Sequence, residues 1–340
     1  MRYSSRRAIR LIEWLYEDGI GEERAVLVDN GQIIAARIQR REGILPGAVL
    51  KAQLIARVIA GTRGIVRLAG GGEAYLSPLP KGLNQGAALT VEVTRAAIDE
   101  KSRFKLPVVK AVPDRAAEDG PTLLALISAG EHPVIHCHSQ SDDQLEVLGW
   151  SELLEEARTG LVAFDSGALQ VSLTPAMTLI DVDGDLPAPA LALEAATAAA
   201  GAIRRLDLQG NIGIDFPTLE TKADRQAAAD AFDAAMVGPF ERTAINGFGF
   251  MQILTRRTRQ SVPEMVQYRP SLAAGLALLR RAERDRGTGP MRLVARPAEL
   301  AQIEAHPNWT ALLARRAGRA VSLRADAQLV IGAGYVETAP

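Results

Sequence analysis

Cysteine is nearly missing: Cys137 is the only one in 340 residues. An intramolecular disulfide is excluded, and the lone thiol fits a reducing, cytoplasmic setting. Aromatic residues are scarce too, at 4% against 47% hydrophobic overall, so any core must be aliphatic. No apolar run is long enough to span a bilayer, and no signal-peptide pattern follows Met1. A cytoplasmic chain with no membrane segment is therefore expected. Excess positive charge is also lacking, the formal net charge being −1. A nucleic-acid binder is often basic overall, so such a surface here would have to come from local clusters. The length allows two or three domains. There is no internal repeat and no low-complexity tract beyond one Ala-rich helix.

The most informative stretch is 177–216. Residues 177–182 form a short apolar run of strand type that ends in Asp181 and Asp183. Residues 191–206 are Ala-rich and predict a helix, with Gly210 where helices prefer to end. Residues 212–214 form a second buried-type run, closed by Asp215. A strand–helix–strand crossover makes two parallel strands whose C-terminal ends share one edge, the edge where open α/β sheets bind ligands. Asp181 and Asp215 are thereby carried to the same edge, and Asp183, at i+2, shares a face with Asp181. Carboxylates that converge there repel one another unless a cation lies between them. Oxygen-only donors suit Mg²⁺ or Mn²⁺, and such sites commonly serve phosphate chemistry. The alternative is that these aspartates only cap the turns after their strands.

The same stretch resembles the catalytic core of the ribonuclease E/G family of bacterial endoribonucleases. Ala176-Met177-Thr178 precede Ile180-Asp181-Val182-Asp183, where the family has Ile-Asp-Val-Asn. Leu193-Glu194-Ala195-Ala196 open the helix. Arg204, Asp207, Leu208 and Gly210 match its Arg-x-x-Asp-Leu-x-Gly turn, and Ile214-Asp215-Phe216 close the unit. From Gly167 to Phe216 the match needs no gap. Outside this core it is looser. Residues 24–28 and 32–38 about Asp29-Asn30-Gly31 read as a hairpin, and Glu22-Glu23-Arg24 to Asp29 resemble the family's opening. Short strands at 48–56, 64–69, 73–77 and 88–93 have the rhythm of a small β-barrel. The family has an S1-type barrel here, and Tyr75-Leu76-Ser77-Pro78-Leu79 resemble its aromatic-Leu-Pro-Leu segment. Lys51, Arg57, Arg63 and Arg67 are the local positive charge, with Tyr75 as the stacking aromatic. Ile65-Val66 stand where family barrels present a second aromatic, so a weaker grip on single strands is expected.

Three further departures matter, and one tempting cluster does not. The family's 5′-end-sensing module has no counterpart between residues 101 and 160, so cleavage nearly blind to the 5′ end is expected. His132, His136, Cys137 and His138 lie close in sequence, but no second ligand pair follows them, and they read as ordinary strand residues. Phe248-Gly249, Arg257 and Arg259 match the strand that carries the family's arginines. Gln252 replaces its glutamate, Arg256 falls one position late, and Arg242 is a candidate for an upstream arginine. Finally, the family's Cys-Pro-x-Cys zinc link is missing at 263–270, so no zinc is expected and any oligomer would rest on direct contacts.

These features predict an α+β / α/β chain. A hairpin (1–45) packs on the core, followed by an S1-like (OB-fold) barrel (46–100), an RNase H-like catalytic domain (101–262) and a small C-terminal α/β domain (263–340). The resemblance implies a Mg²⁺-dependent endoribonuclease (Mn²⁺ as the other suitable ion) that cleaves single-stranded RNA to 5′-phosphate and 3′-hydroxyl ends. Asp181 and Asp215 would hold the metal, and Asp183 would orient its water or add a ligand. Arg256 and Arg257 would neutralise transition-state charge, while Lys51, Arg57, Arg67, Tyr75, Arg242 and Arg259 would contact RNA. The rival reading is an RNA-binding protein of the same fold with weak or lost catalysis, acting in rRNA maturation or as an RNA chaperone. A phosphodiesterase acting on small nucleotides is a third option.

Overall fold

The hairpin signal at Asn30-Gly31 folds as expected, with both residues at positive φ (51° and 77°), the requirement of a tight primed turn. The structure is a computed structural model that describes residues 12–58, 62–101, 104–138 and 141–338. The basic residues Arg2, Arg6, Arg7, Arg10 and Arg103 lie outside them. β1 (Glu13–Asp18), β2 (Glu22–Asp29) and β3 (Gln32–Arg40) form an antiparallel meander. The expected hairpin is thus part of a larger sheet.

β4 (Val49–Val58), β5 (Arg63–Leu68), β6 (Glu73–Leu76) and β7 (Ala88–Arg95) follow the predicted barrel strands. β8 (Ile98–Asp99) and β9 (Phe104–Lys105) pair as a small ribbon. β10 (Val108–Ala111) closes the barrel by pairing with both β6 and β7. The barrel therefore reaches past the predicted boundary at 100. Its interior is aliphatic, with Leu54, Val66, Leu76 and Val91 fully buried.

After α1 (Leu123–Ser128) comes β11 (Val134–Cys137), which joins the N-terminal sheet parallel to β1. The first strands expected in the catalytic domain thus go elsewhere, β10 to the barrel and β11 to the N-terminal sheet. His136 packs edge-on against Tyr16, and buried Cys137 donates to Gln144 Oε1 at 3.4 Å.

α2 (Gln144–Val147) and α3 (Trp150–Thr159) lead into a six-stranded sheet. β12 (Leu161–Phe164), β13 (Gly167–Leu173) and β14 (Thr178–Gly184) are antiparallel. α4 (Ala188–Arg205) crosses over to β15 (Asn211–Asp215), parallel to β14. α5 (Lys222–Ala235), β16 (Phe240–Arg242) and β17 (Phe250–Thr255) complete it, in the order β12-β13-β14-β15-β17-β16. α4 is helical by its alanines, and its buried face (Ala192, Ala195, Ala199) lies in one core with Ile180, Ile212 and Ile214. Its end differs from the expectation. Asp207, not Gly210, first takes the left-handed conformation (φ 54°), which Asp tolerates better than most residues.

α6 (Val262–Tyr268) occupies the segment of the missing zinc link and starts on a Ser261/Glu264 capping box. α7 (Pro270–Glu283), β18 (Met291–Ala295), α8 (Pro297–Glu304), α9 (Pro307–Ala317), β19 (Val321–Ala325) and β20 (Tyr335–Thr338) form the C-terminal unit around a three-stranded sheet. The apolar residues 329–331 lie in the irregular segment between β19 and β20. The β1–β2 turn plugs into this unit: Ile20 is 1% exposed in its core. Gly21 (φ +79°) lies so close that a Cβ would come within 2.6 Å of Leu276.

Candidate functional site

The crossover brings Asp181 and Asp215 into direct register, as Cα partners on adjacent parallel strands. Neighbouring strands lie about 4.8 Å apart. Ile180 and Ile214 point into the helix-covered core, so the alternating aspartates point to the other face. Asp181, Asp183 and Asp215 are all exposed, and none has a hydrogen-bond or ion-pair partner among the described residues. β14 runs on to Gly184, which keeps Asp183 on the face of Asp181.

A cross-strand row surrounds the pair: Leu161, Gln170, Asp181, Asp215 and Phe250 stand side by side on one face. Gln252, in the place of the family's glutamate, lies one pleat further along β17 and pairs with Gly213. Gly213 has a steric reason: a Cβ there would lie 2.5 Å from the Phe250 ring. The adjoining loop is pinned by Asn246, whose Oδ1 accepts from the backbone N–H of Phe248 (2.9 Å) and Phe250 (3.1 Å). Gly249 O accepts from Phe216 N at 3.1 Å, tying the loop to the end of β15. At its tip the Phe248 side chain is 85% exposed. Phe248 is thus a solvated aromatic two residues from Phe250, the register partner of Asp215.

The arginines do not join this site. β17 runs antiparallel to β15, with Phe250 opposite Asp215 and Leu254 opposite Asn211. Arg256 follows the far end of β17, about 20 Å from Asp215 at roughly 3.3 Å per residue. Arg257 lines a cavity with Thr178 and Asn211, at the opposite ends of β14 and β15, and is paired with Glu264. Arg259 grips Asp207 through Nε (2.7 Å) and Nη2 (3.1 Å). Arg242 lies on the helix side and is held by Asp233 at 2.6 and 2.5 Å. The expected role of Arg256 and Arg257 at the aspartates is therefore corrected. The strand's direction, invisible in the motif spacing, takes them to the other edge.

On the barrel, Tyr75 is 37% exposed and faces Ile65. Sequence reasoning missed its companion. Phe104, 58% exposed, shares with Tyr75 a cavity of about 420 Å³ also lined by Arg63, Arg95 and Lys105. The second aromatic comes from β9, outside the strands in which it was sought. Arg67 is exposed beside Glu73. Lys51 donates to Thr90 Oγ1 at 2.8 Å, and Arg57 to the Leu83 carbonyl.

No set of three or more His, Cys, Asp or Glu side chains gathers as a metal cage among the described residues. Among the described residues no helix is long and apolar enough to cross a membrane. The chain matches no family model, and no curated protein matches it, so its likeness to ribonuclease E/G rests on the residues quoted above.

Proposed function

We propose that this chain binds single-stranded RNA on its barrel and hydrolyses it with a divalent ion at Asp181 and Asp215, as a ribonuclease E/G-like endonuclease. The observation that supports this reading most is the in-register, partner-free aspartate pair. The donor set fits Mg²⁺, which is usually bound by one or two carboxylates and keeps its other positions for water and phosphate. When bound, the ion would supply Lewis-acid polarisation of a phosphoryl oxygen and a water of lowered pKa. Asp183 would orient that water. Phe248 would stack a base next to the scissile bond, and Tyr75 and Phe104 would hold the strand further away. In this reading the mixed sheet is the RNase H-like catalytic domain, a description that rests on the parallel β14/β15 pair with its crossover helix.

A second reading, an RNA-binding protein without catalysis, is favoured by Gln252 in the carboxylate's place and by the position of Arg256 and Arg257 at the far edge, where Arg257 is paired with Glu264. A labelled oligonucleotide incubated with Mg²⁺ or with EDTA separates the two. Magnesium-dependent cleavage to 5′-phosphate ends supports the nuclease; binding without cleavage supports its rival. Under either reading, Tyr75→Ala and Phe104→Ala should each weaken binding of a short single strand by about 1–3 kcal/mol, the worth of one base–aromatic stack. Fluorescence anisotropy would measure it, and unchanged affinity in the double variant would remove the barrel from the RNA path.

A further inference from the structure

The displaced arginines have company of their own. A cavity of about 440 Å³ opens where β3 meets the end of α4 and the loop after β17. Arg37, Arg204, Arg256 and Arg259 line it, and Asp207 is the one acid among its described lining residues. That carboxylate is already committed. It accepts two bonds from Arg259 and one from Gln209 Nε2 at 2.9 Å, and lies 3.4 Å from Arg37 Nη1. Arg204 and Arg256 have no hydrogen bond or ion pair from their side chains to any described residue. Burial pushes the Arg37 guanidinium down; Asp207 opposes this, while Arg259 and Arg204 add repulsion. Asp29, outside the lining, answers part of the Arg204 charge; four cations against these two carboxylates still leave a positive excess, which an anion would relieve. Trp14, Ile203 and Met236 give the wall an apolar part, beside the polar His132, Thr255 and Thr258. The volume lies within the range of small-molecule sites and exceeds what a bare phosphate needs.

We propose that this cavity binds a phosphorylated nucleotide unit, its phosphate held by Arg204 and Arg256 and its base or sugar set against the apolar wall. Asp207 is a positioning residue: it fixes the Arg259 and Arg37 guanidinium planes and answers part of their charge. The unit is either a free nucleotide or one residue of an RNA strand. The site lies at the opposite sheet edge from Asp181 and Asp215, so it stands or falls independently of cleavage.

Isothermal titration of the full chain with AMP, adenosine and inorganic phosphate tests it. AMP should bind, and adenosine should bind at least tenfold more weakly. Arg204→Ala and Arg256→Ala should each lower AMP affinity roughly tenfold or more, as loss of a charge-assisted contact does. Asp181→Asn should leave AMP affinity unchanged. The same titration with hexaadenylate distinguishes the sources. Weakening by the two arginine variants supports an RNA-strand site, and unchanged hexaadenylate affinity beside weakened AMP supports a free-nucleotide site. No AMP binding at millimolar concentration would overturn the proposal. So would AMP affinity unaffected in both variants with wild-type melting temperatures.

Discussion

Asp181→Asn and Asp215→Asn are each expected to lower magnesium-dependent cleavage by about two to three orders of magnitude. A bound ion contributes several kcal/mol to the transition state, and each 1.36 kcal/mol is tenfold in rate. Both side chains project from adjacent strands at one register position and neither has a partner among the described residues, so the ion would need both. The fold should not suffer. Two like charges side by side on a sheet repel, and neutralising one should leave the melting temperature equal or higher in metal-free buffer. Asp183→Asn should cost at most about tenfold, about 1.4 kcal/mol, because the resembling family has asparagine there and an amide oxygen still accepts a hydrogen bond from water. Initial rates on a labelled oligonucleotide, with melting curves of each variant, provide the check. Wild-type cleavage by either Asn variant at 181 or 215 would end the assignment.

Glu17→Ala is expected to be the most destabilising single change, at about 3–5 kcal/mol, the cost of removing one partner from a buried ion pair. Glu17 is 0% exposed. It accepts from Arg24 Nε at 3.2 Å and Nη2 at 3.1 Å, and also binds Arg284 of the C-terminal unit. Arg24 is 1% exposed and lies over the Trp150 ring at 5.1 Å. Without Glu17, two guanidinium groups share Asp143, which is 2.5 Å from Arg24. Burial raises the Asp143 carboxyl pKa, but the charge and hydrogen bond of Arg24 outweigh it and hold the group below the usual range. Its contribution is thus fully present above about pH 4 and is lost only as pH falls through that depressed value. Urea unfolding at neutral pH measures the loss. Glu155→Gln serves as the control, since its pair with Arg158 is fully exposed, and it should change nothing measurable. A Glu17→Ala protein as stable as wild type would mean that the network is not what joins the β1–β2 hairpin to the C-terminal unit.

The parts of the fold that were legible in the sequence are those set by local chemistry. Asn30-Gly31 imposes a turn, alternating short apolar runs give barrel strands, and an Ala-rich run between two apolar runs gives the crossover. The crossover alone carries Asp181 and Asp215 to one edge, because strand–helix–strand connectivity requires parallel strands. Antiparallel pairing further along the chain carries no such local mark. The direction of β17 removed Arg256 and Arg257 from the aspartates, although the motif spacing placed them in one functional set. Phe104 reached Tyr75 from outside the barrel strands, β11 left the expected catalytic domain to pair with β1, and Ile20 entered a core built from residues beyond 270. Each of these joins segments distant in the chain, and what selects them is burial of apolar surface and pairing of strand edges. The sequence by itself thus determined the elements and the aspartate pair; the tertiary structure decided which charges face them, and it set the four arginines around a separate cavity.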